Sequence, residues 1–142
     1  MKKVILLGLA VIAVFVVIGV AKGFLDAKAT GGSPALRERR LVEISKRMNQ
    51  GLPKPVDQET ILDTTKAGPG IRFTFVYKLI NRSSADVDAT RLATALKPRI
   101  INNYRTLPEL ADFRKWQVEV HYQYCDKDGK EITTVLASPN DL

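Results

Sequence analysis

The apolar residues of this chain recur with different periods along its length, and each period names an element. From Val4 to Ala21 no residue is charged or strongly polar. As a helix this run spans about 27 Å, close to the hydrocarbon thickness of a bilayer. A core helix of that length would carry a polar stripe, and none is present. Residues 1–21 therefore read as a membrane anchor or uncleaved signal, with Met1-Lys2-Lys3 in front. Gly19-Val20-Ala21 and Ala27-Lys28-Ala29 supply small-x-small sequences for the cleaved alternative, although a signal's apolar region is usually only about 7–15 residues.

Residues 22–33 form a juxtamembrane linker, and residues 34–142 are expected to fold as one soluble domain. Ser33-Pro34 has the form of a helix N-cap and first helical position. Leu41, Ile44 and Met48 then recur at helical spacing, and Gly51, Pro53 and Pro55 stop the helix. Thr60 to Thr65 is rich in β-branched residues, Ala67-Gly68-Pro69-Gly70 is a turn, and Ile71 to Ile80 alternates. Ile71, Phe73, Phe75, Tyr77 and Leu79 share one side of that second strand.

Asp88 can cap a helix carrying Leu92, Leu96 and Ile100, within which Pro98 predicts a kink or a break. Thr106-Leu107-Pro108-Glu109 fits a capping box before a short helix with Leu110 and Phe113. Trp116 to Cys125 alternates again, with Trp116, Val118, Val120, Tyr122 and Tyr124 on one side. Asp126-Lys127-Asp128-Gly129 turns the chain into a last strand over 130–137. The order is helix, two strands, two helices, two strands. The predicted fold class is α+β, with a four-stranded antiparallel sheet and helices packed on one face.

Charge adds little to this picture. The net charge is +7, but from Leu36 onward 18 Lys or Arg oppose 14 Asp or Glu, leaving +4. No basic stripe is interleaved with aromatics, so nucleic acid is not an expected partner. Lys22, Lys28, Arg37, Arg39 and Arg40 follow the apolar run, where anionic lipid headgroups would attract each by about 1 kcal/mol. These five are the candidate membrane-surface contacts. A second membrane-lying helix over 35–50 is the competing reading of that basic stretch. Lys2 and Lys3 favour a cytoplasmic N-terminus, while the basic residues beyond the apolar run pull the other way. A Lys-Lys pair before a long apolar run has the form of a signal-anchor. The expectation is a single pass through the inner membrane with the domain in the periplasm.

Candidate chemistry is sparse. Asp126 to Gly129 lacks the Gly and Glu spacing of an EF-hand and reads as a hairpin turn. His121, the only histidine, shares the polar side of its strand with Glu119 and Gln123 and has no partner set for catalysis in sequence. One cysteine, Cys125, cannot form an internal disulfide. No ligand spacing for a metal, cofactor or phosphate is present. The aromatic sides of the two long strands read as core, with a pocket or partner groove as the alternative. With helices on one face, edge addition of a peptide strand is the simplest binding mode.

Val56-Asp57-Gln58-Glu59-Thr60-Ile61-Leu62-Asp63, Gly68-Pro69-Gly70 and Phe73 to Asn81 stand in order, followed by Tyr122-Gln123-Tyr124 and Asp128-Gly129-Lys130. This stretch, about residues 56–135, resembles a group of small exported or membrane-anchored bacterial α+β proteins, mostly of unassigned function. Some members carry extra cysteines that this chain lacks, so no disulfide is carried over. The resemblance implies export and supplies no activity and no functional residue.

The sequence thus points to a membrane-anchored envelope protein that is not an enzyme. It is expected to bind protein, as an accessory or assembly factor of a larger membrane or secretion complex. Its expected partners are membrane lipid, through the N-terminal helix, and an envelope protein. The alternative is a small-ligand-binding or hydrolytic domain with a pocket between helices and sheet.

Overall fold

The computed structural model describes residues 32–142, so the anchor expected over 1–21, together with Lys22 and Lys28, lies outside the described residues. Among the described residues no helix is long and apolar enough to cross a membrane. The elements are α1 (Pro34–Asn49), β1 (Lys54–Pro55), β2 (Thr60–Ala67), β3 (Arg72–Leu79), α2 (Ala89–Thr106), α3 (Ala111–Lys115), β4 (Glu119–Cys125) and β5 (Glu131–Ala137). The caps follow local chemistry. The Ser33 hydroxyl accepts from Leu36 N at 3.2 Å, and the Asp88 carboxylate accepts from Arg91 N at 3.1 Å, so each occupies an N–H that the first turn leaves unpaired.

The sheet corrects the antiparallel expectation. It has five strands in the order β1-β2-β3-β4-β5, and β3 pairs with β4 in parallel. The other three pairings are antiparallel. The connection from β3 to β4 explains the reversal. Helix α2 has 18 residues and spans about 27 Å, nearly the length of an eight-residue strand. It returns the chain to the end of the sheet where β3 began, and β4 starts there in the same direction. The fifth strand, β1, is a two-residue edge piece that ends in proline, pairing Lys54 with Leu62 and Pro55 with Ile61.

Three smaller expectations also change. Helix α2 runs unbroken through Pro98. Pro98 and Thr94, whose carbonyl loses its usual donor, are both exposed. Leu92, Leu96, Ile100 and Tyr104 on the opposite side are buried and hold the helix down. Thr106 caps nothing: it closes α2, and its hydroxyl donates back to Asn102 O at 2.7 Å. Trp116 ends α3 instead of starting β4. Gln117, at φ 57°, then turns the chain into the sheet.

All three helices pack on the face that carries Phe73, Phe75, Tyr77, Val120, Tyr122 and Tyr124, and they contribute to one core. Leu41, Ile44 and Met48 come from α1, the α2 stripe joins them, and Phe113 and Trp116 close one end. Each such large side chain contributes about 1.5–3 kcal/mol by leaving water. The 18-residue basic helix α2 lies over β5, at one edge of the sheet.

Candidate interaction surface

The aromatic sides of β3 and β4 are core. Register places Phe75 beside Tyr122 and Tyr77 beside Tyr124. The Tyr77 and Tyr124 rings stack at 5.0 Å between centroids, and Phe75 stacks on Tyr122 at 5.5 Å. Phe73 meets Phe75 and Phe113 at 5.1 and 5.2 Å. All four tyrosines are buried, yet they differ at the hydroxyl. Tyr104 donates to Val118 O at 2.7 Å, whereas the Tyr77, Tyr122 and Tyr124 hydroxyls have no hydrogen-bond partner among the described residues. Burial pushes the phenol of Tyr104 up to about 12 and raises the other three strongly. For Tyr124 the neighbouring Tyr122 and Asp57 add to the shift.

His121 lies on the opposite face of the sheet. Its Nε2 pairs with Glu119 Oε1 at 2.6 Å, and Arg72 Nε donates to the same oxygen at 3.2 Å. The histidine bond leads in holding the Glu119 carboxyl below its ordinary value; desolvation opposes it, and Arg72 adds to the lowering. Gln123 shares this face, as expected, and its amide donates to the sulfur of buried Cys125 at 3.5 Å. Among the described residues no group of three His, Cys, Asp or Glu is placed to hold a metal ion. Asp126 is a turn anchor. Its two oxygens accept from the backbone N–H groups of Ser84, Asp128 and Lys130 at 2.9 Å each, and the Lys130 bond leads in lowering its carboxyl.

Of the five basic residues expected at the lipid surface, Arg37 and Arg40 are half-buried and touch Trp116. Arg37 donates to Trp116 O at 3.0 Å, and the Arg40 guanidinium sits 5.6 Å from the Trp116 ring centroid. Arg39 is exposed.

The two sheet edges differ. On the β2 edge, Asn49 of α1 acts as a one-residue strand. Its Oδ1 accepts from Thr65 N at 2.8 Å, and its Nδ2 donates to Thr65 O at 3.1 Å. The Ser45 hydroxyl, itself buried, donates to the same carbonyl at 3.1 Å. Strand β1, with Lys54 and Pro55, covers Ile61 and Leu62 on the same edge. Periodicity alone marks neither Ser45 nor Asn49 as functional. Their signal is a polar pair four residues apart along the flank of the Leu41–Ile44–Met48 stripe. On the other edge, β5 pairs only with β4, and its backbone has no other partner among the described residues. Leu136 is 40% exposed there, and Glu131 and Thr134 are exposed beside it.

Comparison with known proteins yields fold likeness alone. No family model and no curated protein sequence matches the chain. Three solved structures share the fold. A Pseudomonas aeruginosa protein, named provisionally as secreted, superposes with a TM-score of 0.63 at 11% identity, covering 82% of this chain and 98% of its own. The Vibrio cholerae type II secretion system pilotin AspS gives 0.52 at 10% identity over 78% of this chain and 100% of its own. EpsS, the pilotin of the Vibrio vulnificus type 2 secretion system, gives 0.54 at 12% identity, covering 75% and 96%.

Proposed function

We propose that this chain is an exported, membrane-anchored accessory protein that works by binding a protein partner, in the assembly of a secretion complex. The observation that supports this most is the shared fold. Two of the three similar structures are pilotins of type II secretion systems, and each is spanned almost from end to end by this chain. The apolar run Val4–Ala21 supplies the anchor in this reading, with residues 34–142 on the periplasmic side and no role for catalysis. Lys22, Lys28, Arg37, Arg39 and Arg40 would face the lipid surface in this reading, with Arg37 and Arg40 also touching Trp116.

The ligand-binding or hydrolytic alternative draws no support from the site. His121 lies across the sheet from the helices, and aromatic side chains fill the space where its pocket would be.

Placement is tested with a reporter fused after Leu142 that is active only outside the cytoplasm, read together with the mass of the mature chain. Activity at full-length mass is the expected result. Silence would put the domain in the cytoplasm and overturn the proposal. Binding is tested by co-purification from detergent-solubilised membranes, where repeated recovery of the chain alone would defeat it.

A further inference from the structure

The edge of β5 is seven residues long, lacks lysine and proline, and carries one charge, Glu131, at its start. Along an antiparallel edge alternate residues direct their N–H and C=O groups outward. Such an edge is a template for another strand, and soluble proteins usually blunt it. This molecule does so on its other side, with the Asn49 clasp on Thr65 and the Pro55 end of β1. The protection is therefore selective. The helix over β5 is also chemically one-sided: α2 carries Arg91, Lys97, Arg99 and Arg105 and no acidic residue. Arg91 and Lys97 are exposed.

We infer that the β5 edge receives an extended segment of a partner protein, one that alternates acidic with β-branched or apolar residues. This rests on the protein-binding reading above. Backbone hydrogen bonds to β5 would hold the segment, with its acidic side chains toward α2 and its apolar ones beside Leu136. A second copy of this chain fits worse. Two β5 edges paired antiparallel would place two α2 helices, each with exposed Arg91 and Lys97, side by side on one face of a joint sheet.

Two blocked seven-residue peptides test this on the full chain in detergent micelles. One alternates Glu with Val, and the other alternates Lys with Val. Backbone amide shifts and titration give site and affinity. The Glu peptide is expected to bind about tenfold or more tighter than the Lys peptide at low salt, and to lose that margin as salt rises. Its shifts should centre on β5, and both Lys97→Glu and Leu136→Lys should weaken it without moving the β2 amides. Equal binding of the two peptides, shifts centred on β2, or no binding of either would overturn the edge assignment. Recovery of the membrane partner tells the two claims apart. A partner retained at full yield by the Leu136→Lys chain sinks the edge and leaves the binding function standing. No partner with the unmodified chain sinks the function itself.

Discussion

The four tyrosines offer a test in which one isosteric change should act with opposite signs. Tyr→Phe removes a hydroxyl and leaves the ring in place. At Tyr104 it removes the bond to Val118 O, which spans 2.7 Å in the interior, and strands a buried carbonyl. The expected loss is about 1–3 kcal/mol. At Tyr77, Tyr122 and Tyr124 the hydroxyl is buried with no partner among the described residues. Folding strips water from these groups without return, which costs about 1–3 kcal/mol each. Tyr77→Phe, Tyr122→Phe and Tyr124→Phe should therefore each gain about 1 kcal/mol, with the Tyr77–Tyr124 stack preserved. For a domain of this size that corresponds to a rise of about 4 °C in Tm. Because the three rings touch, the gains should not add fully. Urea unfolding is the assay: the midpoint should move while the m-value stays constant. A loss at Tyr77, Tyr122 and Tyr124 matching that at Tyr104 would refute the reasoning, because it would mean that all four hydroxyls are equally well bonded.

Other outcomes follow from the same geometry. Asn49→Ala should destabilise by about 1–3 kcal/mol by removing the acceptor of Thr65 N–H and leaving Thr65 C=O with Ser45, and it should promote association through the β2 edge, read by light scattering. Above the ordinary tyrosine value near 10 the folded chain holds protons that the unfolded chain releases, so stability should fall as pH rises through that value. Tyrosinate absorbance should then appear together with unfolding, and its appearance in the folded protein at lower pH would contradict the burial. At the acid end Glu119 and Asp126 stabilise the fold above their ordinary range, and this contribution is lost as pH falls through their lowered values. Glu119→Gln should flatten that limb of a stability–pH profile only slightly, because the Arg72–Glu119–His121 group is partly exposed and screened by salt.

The core was the most legible part of the chain. Phe73, Phe75 and Tyr77, and Val120, Tyr122 and Tyr124, are buried on the helix side as their alternation requires. Leu41, Ile44 and Met48 are buried at helical period. The direction of β4 was not legible, since alternation fixes a strand's faces and says nothing of which way it runs beside its neighbour. Direction came from the length of α2, which the residue Pro98 obscured by suggesting a break. Edge strand β1 has no period to read, and Trp116 mimicked a strand position because burial, not alternation, fixes its place beside Arg37 and Arg40. The candidate site was half visible. His121 and Glu119 were read on the polar face, while the Ser45–Asn49 clasp, which separates a closed edge from an open one, depends on where α1 crosses β2.

One experiment tests directly whether the chain works by holding a protein partner. The tagged, full-length chain is expressed in its own cells, cross-linked, and purified from detergent-solubilised membranes, with co-purifying chains quantified by mass spectrometry. One envelope protein recovered in fixed proportion to the chain, and lost when the chain is expressed without residues 1–31, is the expected result. Recovery of the chain by itself, in repeated preparations and with cross-linking proven on a known complex, would contradict the account.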